Sequence, residues 1–480
     1  MIKVYKYLGL AAAVVLILSA GLTGCKIPEL ATRSTNTTLP ETFQQGGDSS
    51  NIANLTWREF FGDPYLQALI DTALKNNQEL NIVLQEIEMS RNDIRIRKGE
   101  YLPFVNIGAA AGVDKVARYT NIGAMEATTD IKPGKEMPEP LTDLALGVNA
   151  EWELDIWHKL HNAKKAAVKR YLSSIEGKHF VMTHLIAEIA SAYYELLALD
   201  NELAIVKRNI GIQADALEIV KLQKEATRVT ELAVQKFEAE VLKTRSLQFE
   251  IEQEIIETEN KINFLLARYP QRVSRPSQAF EAWVPGTVAA GVPAQLLSHR
   301  PDVRQAEQDL DAAKLDVSVA RAQFYPSIKL SASVGYRAFN PAYFLKTPES
   351  LLYSLAGDLI APLVNKNAIK AEYSNANARQ LQAVFRYERT VLNACTEVIN
   401  QLAGIHNLQS SFDLRSKQVE ALTRSIDISN DLFKSARADY MEVLLTQRDA
   451  LESKFELTEI KKQQMLSYVG LYHALGGGWQ

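Results

Sequence analysis

The chain has 480 residues, of which 47% are apolar and 23% are charged, and its formal net charge is −4. This composition is enough to form two or three hydrophobic cores. No cluster of lysine and arginine is combined with a platform of aromatic residues, so a nucleic-acid partner is not predicted.

The first residues predict a signal peptide. Two lysines precede an apolar stretch at residues 8–18 that is short for a membrane-spanning helix. The Leu-Thr-Gly-Cys sequence at residues 22–25 resembles a bacterial lipobox. It predicts a signal peptide at residues 1–24 and a lipid on Cys25, with an ordinary signal peptide as the alternative. Lys26 follows instead of the aspartate that resembles an inner-membrane retention signal, which favours the outer membrane.

Residues 25–54 predict an extended N-terminal tether. Ser, Thr, Asn, Gly and Pro dominate this segment, and it shows no hydrophobic periodicity. The chain has two cysteines, and the second is Cys395. With a lipid on Cys25, the mature chain therefore has no intramolecular disulfide.

Two long runs without proline predict very long helices. None of the 16 prolines lies between Pro140 and Pro270 or after Pro362, and both runs are rich in good helix formers. Coiled-coil spacing relates Ile175, Met182, Ile186, Ile189, Tyr193 and Leu197. The first long helix extends roughly 100 Å at about 1.5 Å per residue, and Thr230 can cap the next one. The predicted helices are 65–98, 160–225, 230–268, 300–321, 367–435 and 441–475.

The chain consists of two copies of one plan. A constant shift in residue number relates Leu80 to Val303 and Pro103 to Pro326 without a gap. The first repeat is predicted at residues 55–270, a linker at 271–299 and the second repeat at 300–480.

Each repeat contains two segments in which apolar and polar side chains alternate, and these predict strands at 104–114, 143–156, 327–338 and 351–361. Strands of about ten residues with unlike faces and aromatic residues near their ends are typical of a transmembrane barrel. A half-buried sheet in a soluble protein is the alternative. Because four strands cannot close a barrel and an open edge in lipid is costly, the chain is predicted to oligomerise.

Motifs for chemistry are missing from the sequence. Signatures of nucleotide-binding loops, zinc proteases, dithiol redox sites and serine hydrolases do not occur, so neither enzymatic activity nor a cofactor other than the covalent lipid is predicted. His158 and His161 have the spacing of a metal-binding pair on a helix. Because no third ligand accompanies them, a surface helix is favoured and no metal site is predicted.

Four motifs together cover almost the whole mature chain. Residues 57–64 read Trp-x-x-Phe-Phe-Gly-Asp-Pro, and residues 152–157 read Trp-Glu-Leu-Asp-Ile-Trp. Residues 300–304 read Arg-Pro-Asp-Val-Arg, and residues 471–479 read Leu-Tyr-x-Ala-Leu-Gly-Gly-Gly-Trp. In combination they resemble the TolC-like outer-membrane factors, in particular the lipoprotein branch of RND-type efflux systems.

The resemblance implies a mainly α-helical protein with a transmembrane β-barrel. Three protomers would form a twelve-stranded barrel in the outer membrane and a periplasmic barrel of twelve helices. The implied function is a passive exit duct for drugs or other small molecules in a tripartite efflux pump. Its partners would be a periplasmic adaptor and an inner-membrane RND-type transporter.

Two other functions are kept as alternatives. An outer-membrane channel for type I protein secretion has the same architecture. A lipid-anchored periplasmic coiled-coil scaffold without a pore is the third hypothesis, and the alternating strands argue against it.

The resemblance also implies a constriction at the helical turns, because the family closes its periplasmic end with charged and tyrosine side chains there. The candidate residues are Asp439, Tyr440, Arg228 and Glu231. Ala436 stands where the family has glycine and Leu445 where an acid is common, which puts a simple acidic ring in doubt. His158 and Lys159 replace the glycines expected after the second strand. Solvated turn residues without a gating role are the alternative.

Overall fold

The computed structural model describes residues 27–36, 38–43, 51–276, 280, 283, 289–362, 366–435 and 437–479. Cys25, the predicted lipidation site, lies outside these residues. The chain divides into two compact units. Unit 1 comprises residues 1–34, 88–172 and 308–384, and unit 2 comprises residues 35–87, 173–307 and 385–480. Each unit therefore contains segments from both sequence repeats.

Helices dominate the described chain, and the strands form two groups. In chain order the elements are α1 (Trp57–Phe60), α2 (Pro64–Asn76), α3 (Gln78–Tyr101), β1 (Phe104–Asp114), α4 (Asn121–Thr128), β2 (Asp130–Lys132), β3 (Lys135–Glu136), β4 (Leu141–Leu154), α5 (Lys159–Glu225), α6 (Glu231–Leu265), α7 (Leu296–His299), α8 (Pro301–Ala322), β5 (Ser327–Ala338), β6 (Leu351–Ile360), α9 (Asn367–Lys434) and α10 (Tyr440–Ala474). Short 3₁₀ turns lie at Ile52–Asn54, Pro293–Gln295 and Pro341–Tyr343.

Unit 1 contains a four-stranded antiparallel sheet in the order β1-β4-β5-β6. The two central strands come from different repeats, because β4 belongs to the first and β5 to the second. The sheet therefore joins the repeats through backbone hydrogen bonds. Strands β1 and β6 form its two edges.

A helix and a small hairpin lie between β1 and β4, and the sequence analysis predicted neither. Thr120 caps α4 by accepting a hydrogen bond from the Gly123 amide at 3.1 Å. The hairpin pairs β2 with β3, and Gly134 between them has a φ of 78°. A positive φ favours glycine in such a tight turn.

The two long helices, α5 and α9, contain 67 and 68 residues. The turn after α5 contains Thr227, whose φ is 59°. Thr230 occupies the N-cap position of α6 as the sequence suggests, but its side chain makes no capping hydrogen bond. The negative charge of Glu231 in the first turn of α6 interacts favourably with the positive end of the helix dipole.

The single helix predicted at 65–98 is wrong, because the segment forms two helices with a break at Asn77. The ψ angle of Asn77 is 129°, which is outside the helical range. Its side-chain oxygen accepts a hydrogen bond from the Leu80 amide at 2.9 Å, and its amide nitrogen donates to the Leu265 carbonyl, also at 2.9 Å. Asn77 therefore provides hydrogen-bond partners for a backbone amide at the start of α3 and for a carbonyl at the end of α6. The hydrophobic periodicity of the sequence could not predict this contact.

The core of unit 2 contains most of the coiled-coil set that the sequence analysis identified on α5. Ile186, Ile189, Tyr193 and Leu197 are buried, whereas Ile175 and Met182 are partly buried. The Tyr193 hydroxyl donates to a carboxylate oxygen of Asp63 at 2.6 Å. Asp63 also caps α2 through the Tyr65 amide. The buried phenol therefore keeps a polar partner, as such groups require.

The core of unit 1 includes a cluster at the entrance to β5. Phe324 is buried against Tyr373, and their ring centroids are 5.5 Å apart in an edge-to-face arrangement. Ile27 and Leu30, in the extended segment just after the predicted lipidation site, pack against this cluster. The described start of the tether is therefore held to the protein by apolar contacts.

Candidate functional site

The first candidate site is the sheet of unit 1, whose two faces differ in polarity. Antiparallel pairing aligns alternate residues across all four strands. One apolar row runs through Ile107, Val148, Val334 and Tyr353. These side chains are exposed in the single chain, 74% for Ile107 and 80% for Tyr353. An apolar face of this extent needs an apolar environment.

The opposite face of the same sheet carries polar side chains. One row runs through Asn106, Asn149, Ser333 and Ser354. Neighbours in this row bond to each other, Asn149 to Asn106 at 3.4 Å and Ser333 to Ser354 at 2.7 Å between the hydroxyl oxygens. A sheet with one apolar and one polar face suits a boundary between lipid and water.

Tryptophan side chains occupy the ends of the strands, as the sequence analysis expected for a membrane interface. The Trp152 indole nitrogen donates to the Tyr101 carbonyl at 3.1 Å. The Trp157 nitrogen donates to the Pro326 carbonyl at 2.7 Å, and its ring stacks on Tyr325 with centroids 4.7 Å apart. Both indoles therefore combine an apolar body with a satisfied polar group.

The second candidate site consists of the two helical turns of unit 2, α5–α6 and α9–α10. Arg228, Asp439 and Tyr440 line one shared cleft of about 290 Å³. Arg228 and Asp439 are exposed, and no ion pair links them among the described residues. The structure thus brings together three of the four residues that the sequence analysis named for the constriction.

Glu231, the fourth of these residues, has partners of its own. It forms an ion pair with Lys224 and accepts a hydrogen bond from the Gln235 amide at 2.9 Å. The bond from Lys224 is the main reason that the pKa of Glu231 is lowered from its ordinary value. Glu231 therefore stabilises its own turn and does not line the cleft of Arg228.

His158 and His161 have ring centroids 6.1 Å apart. The described part of the chain contains no group of three or more His, Cys, Asp or Glu side chains that could hold a metal ion. His158 has a φ of 57°, so a polar residue adopts the left-handed conformation at the turn where the resemblance predicted glycine.

Within the described ranges, no helix combines the length and the apolar character needed to cross a membrane.

A buried arginine in unit 2 is a site whose contacts sequence reasoning missed. Arg300 is 3% exposed, and its guanidinium binds Asp302 through two hydrogen bonds of 3.0 and 2.7 Å. It also donates to Glu397 at 2.6 Å and to the Ala474 carbonyl at 2.8 Å. The planar guanidinium therefore connects α8, α9 and the end of α10 at one point.

The C-terminal tryptophan reaches the same region. The Trp479 nitrogen donates to the His299 carbonyl at 3.1 Å, and the ring stacks on His179 with centroids 4.7 Å apart. Arg304 lies 5.4 Å from the centre of this ring and pairs with Glu176 at 2.6 Å. The Arg-Pro-Asp-Val-Arg motif and the C-terminal motif, some 170 residues apart in the chain, thus form one contact network.

Glycine is required where the C-terminal segment turns toward this network. Gly476 has a φ of 87°, and a Cβ atom there would approach the His299 carbonyl oxygen to 2.6 Å. The N-terminal motif also contacts this network, because Phe60 stacks on Tyr472 with ring centroids 4.1 Å apart. The Tyr472 hydroxyl donates to the Leu55 carbonyl at 2.7 Å. Three of the four motifs therefore meet in unit 2.

His473 lies beside this network without a hydrogen bond to its Nε2 atom among the described residues. Burial lowers its pKa to about 4, and the charges of Arg300 and His184 act in the same direction. Glu397 and Asp302 oppose the shift. The imidazole is therefore neutral at neutral pH, next to a buried cation.

The sequence and the fold also match those of known proteins. The profile of the family described as Outer membrane efflux protein matches residues 69–268 and 292–477. The chain belongs to the outer membrane efflux protein family. It is accordingly an outer-membrane channel protein of an efflux system, and members of this family are transporters. The scaffold hypothesis without a pore is therefore wrong.

Several relatives share most of the chain. The pyoverdine export outer membrane protein OpmQ of Pseudomonas aeruginosa is 28% identical over 433 residues, which are 90% of this chain and 89% of OpmQ. The cation efflux system protein CusC of Escherichia coli O6:H1 is 26% identical over 435 residues, 90% of each chain. The open-state crystal structure of the MtrE outer membrane channel of Neisseria gonorrhoeae superposes with a TM-score of 0.82 at 23% identity, covering 95% of this chain and 98% of MtrE. The TolC-like fold is therefore confirmed.

We predict that Arg300→Ala lowers the stability of the protein strongly. Removing one partner of a buried ion pair leaves Asp302 and Glu397 without their cation, and such changes cost about 3–5 kcal/mol. The measurement is the thermal unfolding of the helical circular dichroism signal in detergent.

The matched control for this variant is Arg424→Ala. Arg424 pairs with Glu420 one turn away on α9, and its side chain is 74% exposed. Exposed pairs of this kind contribute about 0.3–0.5 kcal/mol. Equal melting temperatures for the two variants would show that the Arg300 network does not stabilise the fold.

We also predict that His473 makes the protein less stable as the pH falls from about 6.5 to about 4, in the direction opposite to Glu202, whose pKa is raised by burial to about 7. The folded pKa of His473 is about 4 and its ordinary value is 6.5, so the unfolded chain binds more protons in this window. The loss should reach roughly 2–3 kcal/mol at the lower end.

The corresponding measurement is unfolding by denaturant in detergent at a series of pH values. The pH dependence of His473→Leu should differ from that of the wild type by this contribution, because the titrating imidazole is absent. His406→Leu, at an exposed position on α9, should leave it unchanged. An unaltered pH dependence in the His473 variant would mean that other groups control the acid sensitivity.

Proposed function

We propose that three copies of this chain close their sheets into one twelve-stranded barrel and form a passive exit duct across the outer membrane. The duct continues into a periplasmic barrel of twelve helices. A periplasmic adaptor and an inner-membrane RND-type transporter complete the pump, and the transporter supplies the energy. Cys25 carries the lipid that anchors each chain, and the protein has no enzymatic activity of its own.

The observation that carries this proposal is the four-stranded sheet with two unpaired edges and one exposed apolar face. In lipid, the backbone groups of β1 and β6 need partners, because water is absent there. Pairing β6 of one copy with β1 of the next satisfies both edges without any change in the sheet. The polar row through Asn149 and Ser333 then faces the lumen, and the row through Val148 and Val334 faces lipid.

The exposed side of α6 supports association between copies along the helices. Leu242, Phe249 and Ile256 are spaced seven residues apart and are 58%, 68% and 51% exposed. A heptad stripe of apolar side chains is typical of a helix that packs against another helix. In the proposed assembly, a neighbouring copy covers this stripe.

The turn cleft is the proposed constriction of the duct. Arg228, Asp439 and Tyr440 lie together at the end of the four helices of unit 2. Opposite charges and a phenol at a narrow opening can attract one another across copies when the duct is closed. The proposed substrate class is small molecules, because the names of OpmQ and CusC refer to the export of pyoverdine and of cations.

We predict opposite results for lysine at two neighbouring positions of β6. Leu355 is on the apolar face and is 81% exposed, whereas Ala356 is on the polar face opposite Ser331. Leu355→Lys should prevent a stable trimer in the membrane, because a lysine facing lipid costs about 2–4 kcal/mol near the centre of the bilayer. Ala356→Lys should assemble and shift the ion selectivity of the channel toward anions.

The measurements are the mass of the oligomer in detergent and single-channel conductance in a planar bilayer. A trimer from both variants with the same selectivity would overturn the assignment of the two faces. A monomeric wild-type protein that never conducts would overturn the duct itself.

We further predict that Asp439→Ala and Arg228→Ala increase single-channel conductance. Each removes a charged side chain from the proposed constriction, which widens it and weakens contacts across copies. Asp427→Ala, an exposed position on α9 away from the turn, is the control and should conduct like the wild type. If the Asp439 and Arg228 variants also match the wild type, the constriction lies elsewhere.

A further inference from the structure

Unit 2 contains a group of buried polar side chains without partners. Gln213 on α5 and Gln447 on α10 are each 1% exposed, and neither atom of either side-chain amide has a hydrogen-bond partner among the described residues. The same holds for the Asn209 amide nitrogen and the Ser453 hydroxyl. We call these four residues the polar layer. Most buried polar groups in proteins are paired, so this concentration requires an explanation.

The polar layer lies between two apolar clusters. The end cluster, next to the helical turns, consists of Val220, Ala233, Val234, Phe237 and Val443. The inner cluster consists of Leu199, Val206 and Ile251, with Phe455 packed against it. On α5 the layer falls between Val206 and Val220, and on α10 it falls between Val443 and Phe455. The layer therefore lies between the two clusters on both helices, with the small apolar side chain of Ala450 buried between Gln447 and Ser453.

A cavity adjoins the layer on the side of the end cluster. Gln447 lines it together with Ala216, Phe237, Asn430 and Val443, and its volume is about 180 Å³. The amide atoms of Gln447 have almost no solvent-accessible surface, so the cavity leaves them without partners in the described part of the chain. The cavity therefore removes packing contacts beside the layer.

We propose that the polar layer, whose amides are buried without partners among the described residues, weakens the helical core of unit 2, so that the helix ends beyond it open as a separate local unit. Polar residues at buried coiled-coil positions reduce stability locally. Proteins open locally in cooperative segments, and segments with few apolar contacts open first. The end unit is then joined to the rest of the core through a layer of unpartnered polar groups with few apolar contacts. This property belongs to one chain and does not depend on the proposed channel assembly.

Amide hydrogen exchange followed by mass spectrometry tests the proposal on the full-length protein in detergent. In the wild type, amides of α6 and α10 next to the end cluster, at residues 234–241 and 443–446, should exchange faster than amides at residues 251–262. The double variant Gln213→Leu/Gln447→Leu replaces the unpartnered amides by apolar groups of similar size. Exchange at the end unit should then slow by about tenfold or more, with little change elsewhere.

Two further variants complete the design. Gln213→Ala enlarges the space without filling it, so the end unit should exchange faster than in the wild type. Gln235→Leu, at an exposed position on α6, is the control and should not slow exchange at the end unit. The leucine and alanine variants should change the exchange rate in opposite directions. If one of them does not fold, the other variant and the comparison within the wild type still test the proposal.

Two results would overturn the proposal. The first is equal protection of residues 234–241 and 251–262 in the wild type, which would show one continuous core. The second is a slowing of exchange that is uniform over all of α5, α6 and α10 in the double variant, which would mean that the layer affects global stability and separates nothing.

Discussion

The antiparallel register of four strands is the constraint on which the function of this protein depends. Side chains alternate between the faces of a sheet, so a shift of one residue between β4 and β5 would mix apolar and polar residues on both faces. The observed pairing of Val148 with Val334 and of Asn149 with Ser333 keeps the faces distinct. The sheet can therefore separate lipid from water only in this register. The central pair comes from two different repeats, which makes the duplication of the sequence necessary for the sheet.

The Arg300 network connects distant segments of the chain in unit 2, as the sheet does in unit 1. One guanidinium satisfies two carboxylates and a carbonyl from segments far apart in the sequence, and Trp479 covers the adjoining backbone at His299. Buried charges are stable only with such complete pairing. The motifs by which the chain resembles the family therefore largely make the contacts that connect the two repeats, and that connect residues 55–60 with the C-terminal segment. They stabilise the framework of unit 2.

The helical core of unit 2 combines apolar clusters with polar side chains that have no partners among the described residues. Its two apolar clusters are buried, but the polar layer around Gln213 and Gln447 carries amides without protein partners in the described part of the chain. Apolar side chains of similar size at these positions would avoid the cost of burying an unpartnered amide. Beyond this layer lie Arg228 and Asp439, the charged residues of the turn cleft. The polar layer and the turn cleft thus lie on opposite sides of the end cluster.

The sequence by itself determined the local features: the long helices, the four strands, the unlike faces of the sheet, and the turn residues that later prove to share a cleft. These follow from periodicity and from the absence of proline, which act over a few residues. The prediction of a single helix at 65–98 was wrong because Asn77 caps two helices. Its side-chain amide donates to the Leu265 carbonyl, and these two residues are far apart in the chain. Only the tertiary structure decided the strand order, the partners of Arg300, the separation of Glu231 from the turn cleft and the unpartnered state of Gln447. Each depends on which distant side chains become neighbours, and no spacing along the chain records that.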